Sequence, residues 1–420
     1  MKKARQGILH IGKPRVEWMT DRARLVTRID SPQYPEPRDL WFEVDREYGK
    51  FLCSERSDAF LVGMLRYAMS FGYDIHCESP ISEELLYNVR TYLIPALSKV
   101  CDAIYPVKIE APLAEGTLPS AGAVGTGISC GIDSLHVLCH HAASEYPSMK
   151  LTHLVLNNVG AYQEGSKQFS WQVRHAQALA DEYGFTLVRT NSNYVDAFPA
   201  NHQGLRWTHT YANAFCVLAL QKFWRTFYYG SSGYDLSGFS LNKVEKGDCA
   251  LYDLLSLQVF STRGLSFFSE GAAKTRFEKT IDVANYVPAK KYLHVCTRDD
   301  GPCCNTCEKC CRTIMTLDAI GKLDEFKAIF DVAYYRRNRA WYLNWMYYNY
   351  HLFGKESLLE EVYDHFKDQI TFSMKVKMRL IVLYLFLKKS EKLRRVYRKI
   401  VPGRKTNAVR RELFGELPKK

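Results

Sequence analysis

The sequence predicts an α/β fold in which helices cover both faces of a parallel sheet. Apolar runs of strand length alternate with longer runs of helical character, and this alternation repeats between residues 119 and 330. Strands that are separated by helices of this length favour a parallel arrangement with the helices packed on the sheet. The chain has 420 residues, of which 47% are hydrophobic, so it can bury a large core or divide into about two to three domains.

An N-terminal α+β region is predicted for residues 1–118. The segments RLVTRID and LWFEVD alternate apolar and polar residues in the manner of strands, and VKIEA predicts another strand. Helices are expected through DAFLVGMLRYAMSFG and SEELLYNVRTYLIPALSKV. Ser82 is placed to cap the second helix by accepting a hydrogen bond from a backbone N–H. The segment APLAEGTLPSAGAVG is rich in Ala, Gly and Pro and predicts a junction.

The predicted central domain, residues 119–330, carries the alternation of strands and helices. Strand-like AVGTGIS, LTHLVLNN, TLVRTNSN and FYYGSS are separated by the helix-like segments SLHVLCHHAASEY, SWQVRHAQALADEYG and ANAFCVLALQKFW. Residues 331–420 are helical in character, aromatic and increasingly basic. The expected organisation is therefore an N-terminal domain, an α/β domain and a basic helical C-terminal region.

The net charge of +12 is concentrated at the C-terminus. From Lys388 to Lys420 there are thirteen Lys or Arg against three Glu, so this tail carries +10 of the total. The tail predicts either a helix that packs on the domain with solvated charges, or a surface that binds RNA or the acidic face of a protein partner. The sequence does not fix the oligomeric state, and a homodimer is compatible with it.

The chain carries no sequence signal for a membrane span or for export. No window holds eighteen consecutive apolar residues, and the opening segment lacks an apolar core of signal-peptide length. We therefore expect a cytoplasmic protein. In a reducing compartment its thirteen cysteines indicate metal or catalytic thiols rather than disulfides.

The stretch GTGISCGIDSLHVL, residues 125–138, joins a predicted strand to a predicted helix. Because a helix N-terminus presents free backbone N–H groups and partial positive charge, this turn predicts a phosphate site at the carboxyl edge of the sheet. Gly131 leaves room for close approach, and Ser129 and Ser134 add hydroxyl donors. Asp133 would cap the helix or help to hold Mg²⁺. An ordinary capped turn is the alternative, and the GxxxxGK[ST] form of the P-loop is absent.

Six cysteines lie within sixteen residues, from position 296 to position 311. Four of them follow the spacing C-x7-C-x2-C-x2-C, and these are Cys296, Cys304, Cys307 and Cys310. Four soft thiolates on short spacers predict a closed tetrahedral Zn²⁺ site with a structural role. A reactive cysteine set and an iron–sulfur cluster are the alternatives, and Cys303 could replace Cys304 as a ligand.

The hexapeptide SCGIDS resembles the SGGxDS motif of the PP-loop ATP pyrophosphatases, also called adenine nucleotide alpha-hydrolase-like proteins. Cys130 stands where that family usually has glycine. The resemblance implies a PP-loop (HUP-like) fold that binds ATP with Mg²⁺ and splits it between the α and β phosphates. It also implies that the whole motif contacts the nucleotide, that is, Ser129, Cys130, Gly131, Ile132, Asp133 and Ser134.

The cysteine spacing narrows the resemblance to the cyano-deazaguanine synthase (QueC-like) branch, which carries such a zinc site downstream of its ATP motif. The segment YYGSSGYDLSGF is similar to the fourth-strand segment of that branch, and TRFEKT is similar to its later basic turn. These similarities cover about residues 119 to 330.

This branch also implies roles for residues outside the hexapeptide. Asn158, Gly160 and Gly230 end strands where the family places groups against the nucleotide, although a plain strand-to-loop turn is the alternative reading for the first two. Arg276 and Lys279 would act with Asp133 and Ser134 in catalysis by meeting the charge on the pyrophosphate leaving group. The alternative for Arg276 and Lys279 is a charged helix face. His209, Tyr211 and Asn213 begin a helix near the same edge, where His209 more often serves as a structural hydrogen-bonder than as a base.

The implied activity is that of an ATP-dependent carbon–nitrogen ligase or synthase. A carboxylate or carbonyl is adenylated with release of pyrophosphate, and a nitrogen nucleophile then displaces AMP to give an amide, a nitrile or a conjugate. The terminal regions lie outside a minimal synthase, so the acceptor is not implied. A PP-loop tRNA-modifying enzyme is a second reading, and a non-catalytic nucleotide-binding scaffold or sensor is a third.

Overall fold

The computed structural model describes residues 7–160, 162, 165–198, 205–231, 236, 239–241, 248–296, 301–352 and 357–389. The chain divides into two units, Met1–Thr275 and Arg276–Lys420. The predicted basic tail lies outside the described residues apart from its first two lysines, which end the last helix.

Thirteen strands are found among the described residues, all of them in the first unit. They are β1 (Ile8–Ile11), β2 (Arg15–Trp18), β3 (Arg22–Asp30), β4 (Arg38–Asp45), β5 (Asp74–Cys77), β6 (Ile81–Ser82), β7 (Ile109–Glu110), β8 (Leu113–Ala114), β9 (Ala123–Gly127), β10 (His153–Asn158), β11 (Thr186–Ser192), β12 (Trp224–Gly230) and β13 (Ser266–Glu270). Strands were predicted from alternation or apolar runs at β3, β4, β7 and β9 to β12, and these predictions are confirmed. No pattern had predicted the other six strands, which are β1, β2, β5, β6, β8 and β13.

Eleven of these strands form one sheet in the order β13-β12-β9-β10-β11-β4-β3-β1-β5-β7, with β2 paired to β3. The pairs from β13 to β11 are all parallel, and so are β1-β5 and β5-β7. The pairs that join β11, β4, β3, β1 and β2 are antiparallel. The protein is therefore a mixed α/β fold with a large, mostly parallel central sheet, which confirms the coarse prediction.

In the parallel part of the sheet, successive strands are added on one side of β9 up to β11 and on its other side from β12 onward. Its five strands, numbered along the chain from β9, lie in the order 3-2-1-4-5. In open α/β sheets, ligands bind outside the carboxyl ends of the strands at the point where the order reverses. That point lies here between the carboxyl ends of β9 and β12.

Helices flank this sheet. Those of the first unit are α1 (Asp58–Phe71), α2 (Glu83–Asn88), α3 (Ile94–Val100), α4 (Ile132–His141), α5 (Lys167–Tyr183), α6 (Tyr194–Ala197), α7 (Leu205–Ala219) and α8 (Asp253–Phe260). A π-helical segment, Val89–Leu93, joins α2 to α3, and short 3₁₀ helices span Arg46–Phe51 and Cys249–Tyr252. Successive strand residues point to opposite faces. His141 of α4 stacks on Tyr228 and His209 of α7 bonds Tyr229, so α4 and α7 cover opposite faces of β12.

One hydrophobic core joins the N-terminal strands to the parallel strands. Phe215 of α7 is fully buried and meets Phe42 of β4 edge-on at 6.3 Å and Phe60 of α1 at 5.5 Å between ring centroids. Trp224 of β12 is also fully buried. Residues on both sides of the predicted boundary at 118 therefore share one sheet and one core.

The described part of the second unit is helical. Its α-helices are α9 (Arg276–Asn285), α10 (Ala289–Tyr292), α11 (Glu308–Ala319), α12 (Val332–Arg337), α13 (Arg339–Tyr347), α14 (Glu360–Phe366) and α15 (Phe372–Lys389). A π-helical segment, Tyr348–Leu352, and 3₁₀ helices at Leu323–Phe326, Ser357–Leu359 and Lys367–Gln369 connect them. Among the helices that the structure describes, none has the length and apolar composition to cross a bilayer.

Candidate functional site

The turn from Ser129 to Ser134 leaves β9 at the reversal point of the sheet. Ile128, just before it, continues the pairing with β10 by donating from its N–H to the Val155 carbonyl at 2.8 Å. Gly131 is the N-cap residue of α4 and, as a glycine, offers no side chain to cap the helix. The predicted capping role of Asp133 stays a prediction. A helix N-terminus at this edge presents backbone N–H groups suited to an anion.

Two serines stabilise the turn internally. The Ser134 hydroxyl donates to the Gly131 carbonyl at 3.1 Å and accepts from the Ser129 N–H at 3.4 Å. The Ser129 hydroxyl accepts from the Gly131 N–H at 3.3 Å, and the Gln172 amide of α5 donates to the Ser129 carbonyl at 3.1 Å. Ser134 is buried in this arrangement, whereas Ser129 is exposed at the carboxyl edge.

Cys130 takes the left-handed backbone conformation, with φ of 58°. L-residues with a side chain pay about 1–2 kcal/mol for this conformation, whereas glycine does not. The PP-loop motif has glycine at the position of Cys130, and the backbone there has the conformation that glycine adopts without strain. The Cys130 side chain is fully buried, and burial raises the pKa of its thiol to about 12. The thiol is therefore protonated at neutral pH, which favours packing over a nucleophilic role.

Gly230 is brought against this turn. It ends β12, and a Cβ atom built on it would lie 3.2 Å from the Asp133 carbonyl oxygen and 3.3 Å from the Asp133 Cβ. The first turn of α4 and the end of β12 therefore pack too closely for an added side chain without a shift. Gly230, one of the predicted nucleotide-binding residues outside the hexapeptide, therefore directly abuts it.

Asn158 and Gly160 build the loop after β10. The buried Asn158 amide donates to the Tyr162 carbonyl and to Asn191 Oδ1, both at 3.0 Å, and its carbonyl oxygen accepts from the Tyr162 N–H at 3.2 Å. Gly160 has φ of 100°, and an added Cβ would lie 2.6 Å from the Val195 Cβ. These contacts match the alternative of a strand-to-loop turn, and contact with a nucleotide stays a prediction for both residues.

His209 faces the same carboxyl edge from the α7 side. Its Nδ1 lies 2.8 Å from the Tyr229 hydroxyl oxygen, and its Nε2 lies 3.3 Å from Asp248 Oδ1. His209 was predicted from the sequence, but neither of its partners was. Tyr229 directly precedes the predicted site residue Gly230, so its place at the same strand end could have indicated it as a partner. Asp248 lies 39 residues after His209 in the sequence, so no local pattern could have indicated this pair.

Arg276 and Lys279 lie on α9 in the second unit. Lys279 is fully buried, and Arg276 is partly exposed. Their expected role toward pyrophosphate stays a prediction.

The four predicted cysteine ligands meet in the second unit. The sulfur atoms of Cys296, Cys304, Cys307 and Cys310 all lie within 4.8 Å of one another. Cys307 is the N-cap residue of α11, and its sulfur accepts from the Cys310 N–H at 3.5 Å. The Cys307 N–H donates to the Cys304 sulfur at 3.2 Å. Cys303 and Cys311 are not members of this four-sulfur set.

The chemistry of this set fits a metal ion such as Zn²⁺. Zn–S bonds of about 2.3 Å in a tetrahedron separate the sulfurs by roughly 3.8 Å, which lies within the 4.8 Å limit observed for this set. Side-chain hydrogen bonds from Cys307 and Cys310, aided by the backbone N–H groups of Thr306 and Cys307, lower the pKa of Cys304, whereas the side-chain bonds within the cluster raise the pKa of Cys310.

Asn305 shapes the cysteine knuckle between Cys304 and Cys307. It has φ of 60°, a left-handed conformation that Asn tolerates better than most residues. The buried Tyr342 hydroxyl of α13 donates to the Asn305 carbonyl at 2.6 Å, and Asn305 Oδ1 accepts from the Asp331 N–H at 3.3 Å. The sequence reading had found the four sulfurs but had missed this support.

Comparison of the chain with protein-family models, with curated proteins and with solved structures finds no match in any of the three.

Proposed function

We propose that the protein is an ATP-dependent enzyme that adenylates a carboxylate or carbonyl oxygen, releases pyrophosphate, and lets a nitrogen nucleophile displace AMP. The observation that carries this proposal is the position of the Ser129–Ser134 turn. It follows strand 1 of the 3-2-1-4-5 order, leads into helix α4 and abuts Gly230 at the reversal point. The similarity of this turn to the PP-loop motif supplies the reaction type.

In the proposed reaction the substrate oxygen attacks the α phosphorus of ATP, and the bond to pyrophosphate breaks. The first N–H groups of α4 and the exposed Ser129 hydroxyl bind phosphate oxygens. In this proposal Asp133 would help to hold Mg²⁺, which would supply counter-charge to the phosphates. Attack of a nitrogen on the adenylate then forms the C–N bond, and AMP leaves with the electron pair of the C–O bond. The side chains mainly position groups and stabilise charge, so no covalent enzyme intermediate is needed.

In this proposal the four-cysteine set holds a structural Zn²⁺. Four thiolates fill a tetrahedral site and leave no position for water, so the metal would order the 296–310 segment rather than activate a nucleophile. This role is independent of the nucleotide chemistry, and it can be tested separately.

Substitution of Ser134 and Asp133 tests the ATP site. We expect Ser134→Ala and Asp133→Ala to abolish AMP and pyrophosphate formation while the protein remains folded by circular dichroism. The Ser134 hydroxyl ties Ser129 to Gly131, and Asp133 lies at the start of the phosphate-facing helix. Ser98→Ala is a matched control, because the Ser98 hydroxyl also bonds a carbonyl of its own helix, that of Ile94 at 2.7 Å.

Full AMP formation by both variants would contradict the assignment of the site. ATP binding without AMP formation, in the wild-type protein and with a broad panel of carboxylates, would favour the non-catalytic reading instead. Loss of activity on RNase treatment of a purified complex would favour the tRNA-modifying reading.

A further inference from the structure

A row of four polar side chains crosses the N-terminal strands of the large sheet. The row consists of Asp30 on β3, His10 on β1, His76 on β5 and Glu110 on β7, which are four neighbouring strands. His10 is paired with Asp30 across an antiparallel pair and with His76 across a parallel pair. His76 is paired in turn with Glu110. Paired residues on neighbouring strands point to the same face of a sheet, so the four side chains share one face.

Burial shows that this face is turned towards solvent. The residues that alternate with the row along the strands are buried in the hydrophobic core, and they include Leu9, Ile75 and Ile109. His76 is partly exposed, and the other three members of the row are exposed. The row is therefore accessible to a ligand. Its imidazoles and carboxylates are side chains that bind divalent metal ions.

The two histidine rings are spaced as two ligands of one metal ion. The centroids of the His10 and His76 rings are 5.4 Å apart, and the ring planes are tilted by 59°. A Zn–N bond of about 2.0–2.1 Å places a ring centroid roughly 3.2 Å from the metal, so two rings at the tetrahedral angle have centroids roughly 5.2 Å apart. The observed separation matches the one that a shared ion requires.

His76 offers a nitrogen close to the sheet. Its Nδ1 atom is buried and has no hydrogen-bond partner among the described residues. A polar atom removed from water without a partner costs free energy, and a metal ion is one partner that a neutral imidazole nitrogen takes. Because Nδ1 is the ring nitrogen nearer to the backbone, an ion bound to it would lie low over β5, the middle strand of the three that carry His10, His76 and Glu110.

His10 and Glu110 flank such an ion from opposite sides. Neighbouring strands lie about 4.8 Å apart, which the His10 ring spans through Nε2 and the Glu110 side chain spans through its carboxylate. Among the described residues, these three do not form a set whose ligand atoms all lie within 4.8 Å of one another. Binding would therefore bring the exposed Glu110 carboxylate inward by rotation about its side-chain bonds.

Asp30 stands at the end of the row, beside His10 and away from His76. With His10 Nε2 on a metal, the Nδ1–H of the same ring is left to donate a hydrogen bond. A carboxylate that accepts this bond fixes the orientation of the ring and makes it a stronger ligand. Asp30 is the neighbouring group that suits this role.

We propose that His10, His76 and Glu110 form a divalent-metal site that takes Zn²⁺ or a similar first-row ion. Asp30 is the positioning residue for His10. Two imidazoles and one carboxylate fill three tetrahedral positions, and water or an external ligand takes the fourth. The site shares no residue with the Ser129–Ser134 turn or with the four-cysteine set, so it is independent of the proposed function.

The test counts the Zn²⁺ ions that the full-length protein binds, by calorimetric titration after one equivalent has been supplied to the four-cysteine set. We expect wild type to bind one further equivalent. His10→Gln and His76→Gln should each remove it, because each variant loses an imidazole ligand, and Glu110→Gln should weaken it. His365→Gln is the matched control, since it removes an exposed histidine outside the row.

The role of Asp30 has its own readout. Asp30→Asn should weaken binding of the further Zn²⁺ about 10–100-fold without changing the number of sites, as for loss of a group that orients a ligand. Asp30→Glu should restore the affinity, because it restores the carboxylate. Equal affinity in Asp30→Asn and wild type would remove Asp30 from the site.

Two measurements on wild-type protein guard against misfolding of a variant. Titration with Co²⁺ separates the two sites, because thiolate ligands give strong charge-transfer absorption whereas imidazole and carboxylate ligands do not. NMR of the histidine rings should show the signals of His10 and His76 moving with the further Zn²⁺, while those of His365 stay in place.

Three results would overturn the site. They are a wild-type protein that binds no Zn²⁺ beyond the four-cysteine set, a further equivalent that persists in both His10→Gln and His76→Gln, and ring signals of His10 and His76 that do not move. AMP formation from ATP by a protein without the further Zn²⁺ site would reject this inference alone. The further site with the expected variant effects, but without AMP formation, would reject the proposed function alone.

Discussion

At residue 130 a side chain occupies a backbone conformation that favours glycine. Cys130→Gly removes the left-handed strain, whereas Cys130→Ala keeps it, and both lose the buried sulfur. We therefore expect the Gly variant to be more stable than the Ala variant by about 1 kcal/mol in denaturant unfolding. A more stable Ala variant would contradict the left-handed turn. In wild type, the buried thiol should react slowly with iodoacetamide at pH 8.

Gly160 allows a separation of backbone strain from steric overlap. Gly160→Ala places a Cβ 2.6 Å from the Val195 Cβ at φ of 100°, so we expect a loss of about 1–3 kcal/mol in the free energy of unfolding. Gly165 also has positive φ, 75°, but has open space around it. Gly165→Ala should therefore cost only the strain, about 1 kcal/mol. Equal losses of unfolding free energy in Gly160→Ala and Gly165→Ala would show that contact with Val195 adds no steric cost.

Single residues were predictable where their role is local. The helix start at Ser82 was predicted correctly, because Ser before Glu-Glu is a local signal. Its predicted capping bond is wrong: the Ser82 hydroxyl donates to the fully buried Asp58 carboxylate at 2.5 Å. The partner lies 24 residues away, so no local pattern could indicate it. The same holds for Asn158, whose amide meets Asn191 of the neighbouring strand.

At the scale of elements, the cysteine knuckle predicts a metal whose loss unfolds its own segment. Wild-type protein should contain about one Zn²⁺ per chain by elemental analysis. Cys307→Ser and Cys304→Ser should lower zinc content and thermal stability together, because metal binding is coupled to folding. Cys303→Ser is the adjacent control and should keep both, since Cys303 lies outside the four-sulfur set.

A metal-free wild-type protein that is as stable as the metal-bound form would contradict this site. Zinc loss in Cys303→Ser with retention in Cys304→Ser would show instead that the two neighbours exchange roles as ligand.

Elements with one strong pattern were predicted, and elements that depend on tertiary contacts were not. Strands β9 to β12 are apolar runs bounded by turns, and all four were predicted. The short strand β13 reads SFFSE and pairs with β12 at the sheet edge, where its partner rather than its own pattern defines it. The spacing of the four cysteines likewise predicted their meeting, but not the support from Tyr342.

For the whole molecule, the sheet order is the feature that sequence could not supply. The alternation of strands and helices along the chain predicted parallel strands, but several orders of those strands within a sheet are compatible with it. The 3-2-1-4-5 order places the Ser129–Ser134 turn at the reversal point, where open α/β sheets bind ligands, and this placement supports the proposed site. The antiparallel pairing of β4 with β11, which joins the N-terminal strands to the same sheet, depends on contacts over more than a hundred residues.

The products of ATP cleavage test the central claim most directly. Purified protein is incubated with ATP, Mg²⁺ and a panel of carboxylates with ammonia or amines, and the phosphorus products are read by NMR while mass spectrometry follows adenylated and amidated species. We expect AMP and pyrophosphate in equal amounts, because in the proposed reaction the turn holds ATP for attack at the α phosphorus, and we expect neither from Ser134→Ala. Formation of ADP and inorganic phosphate instead would contradict the account.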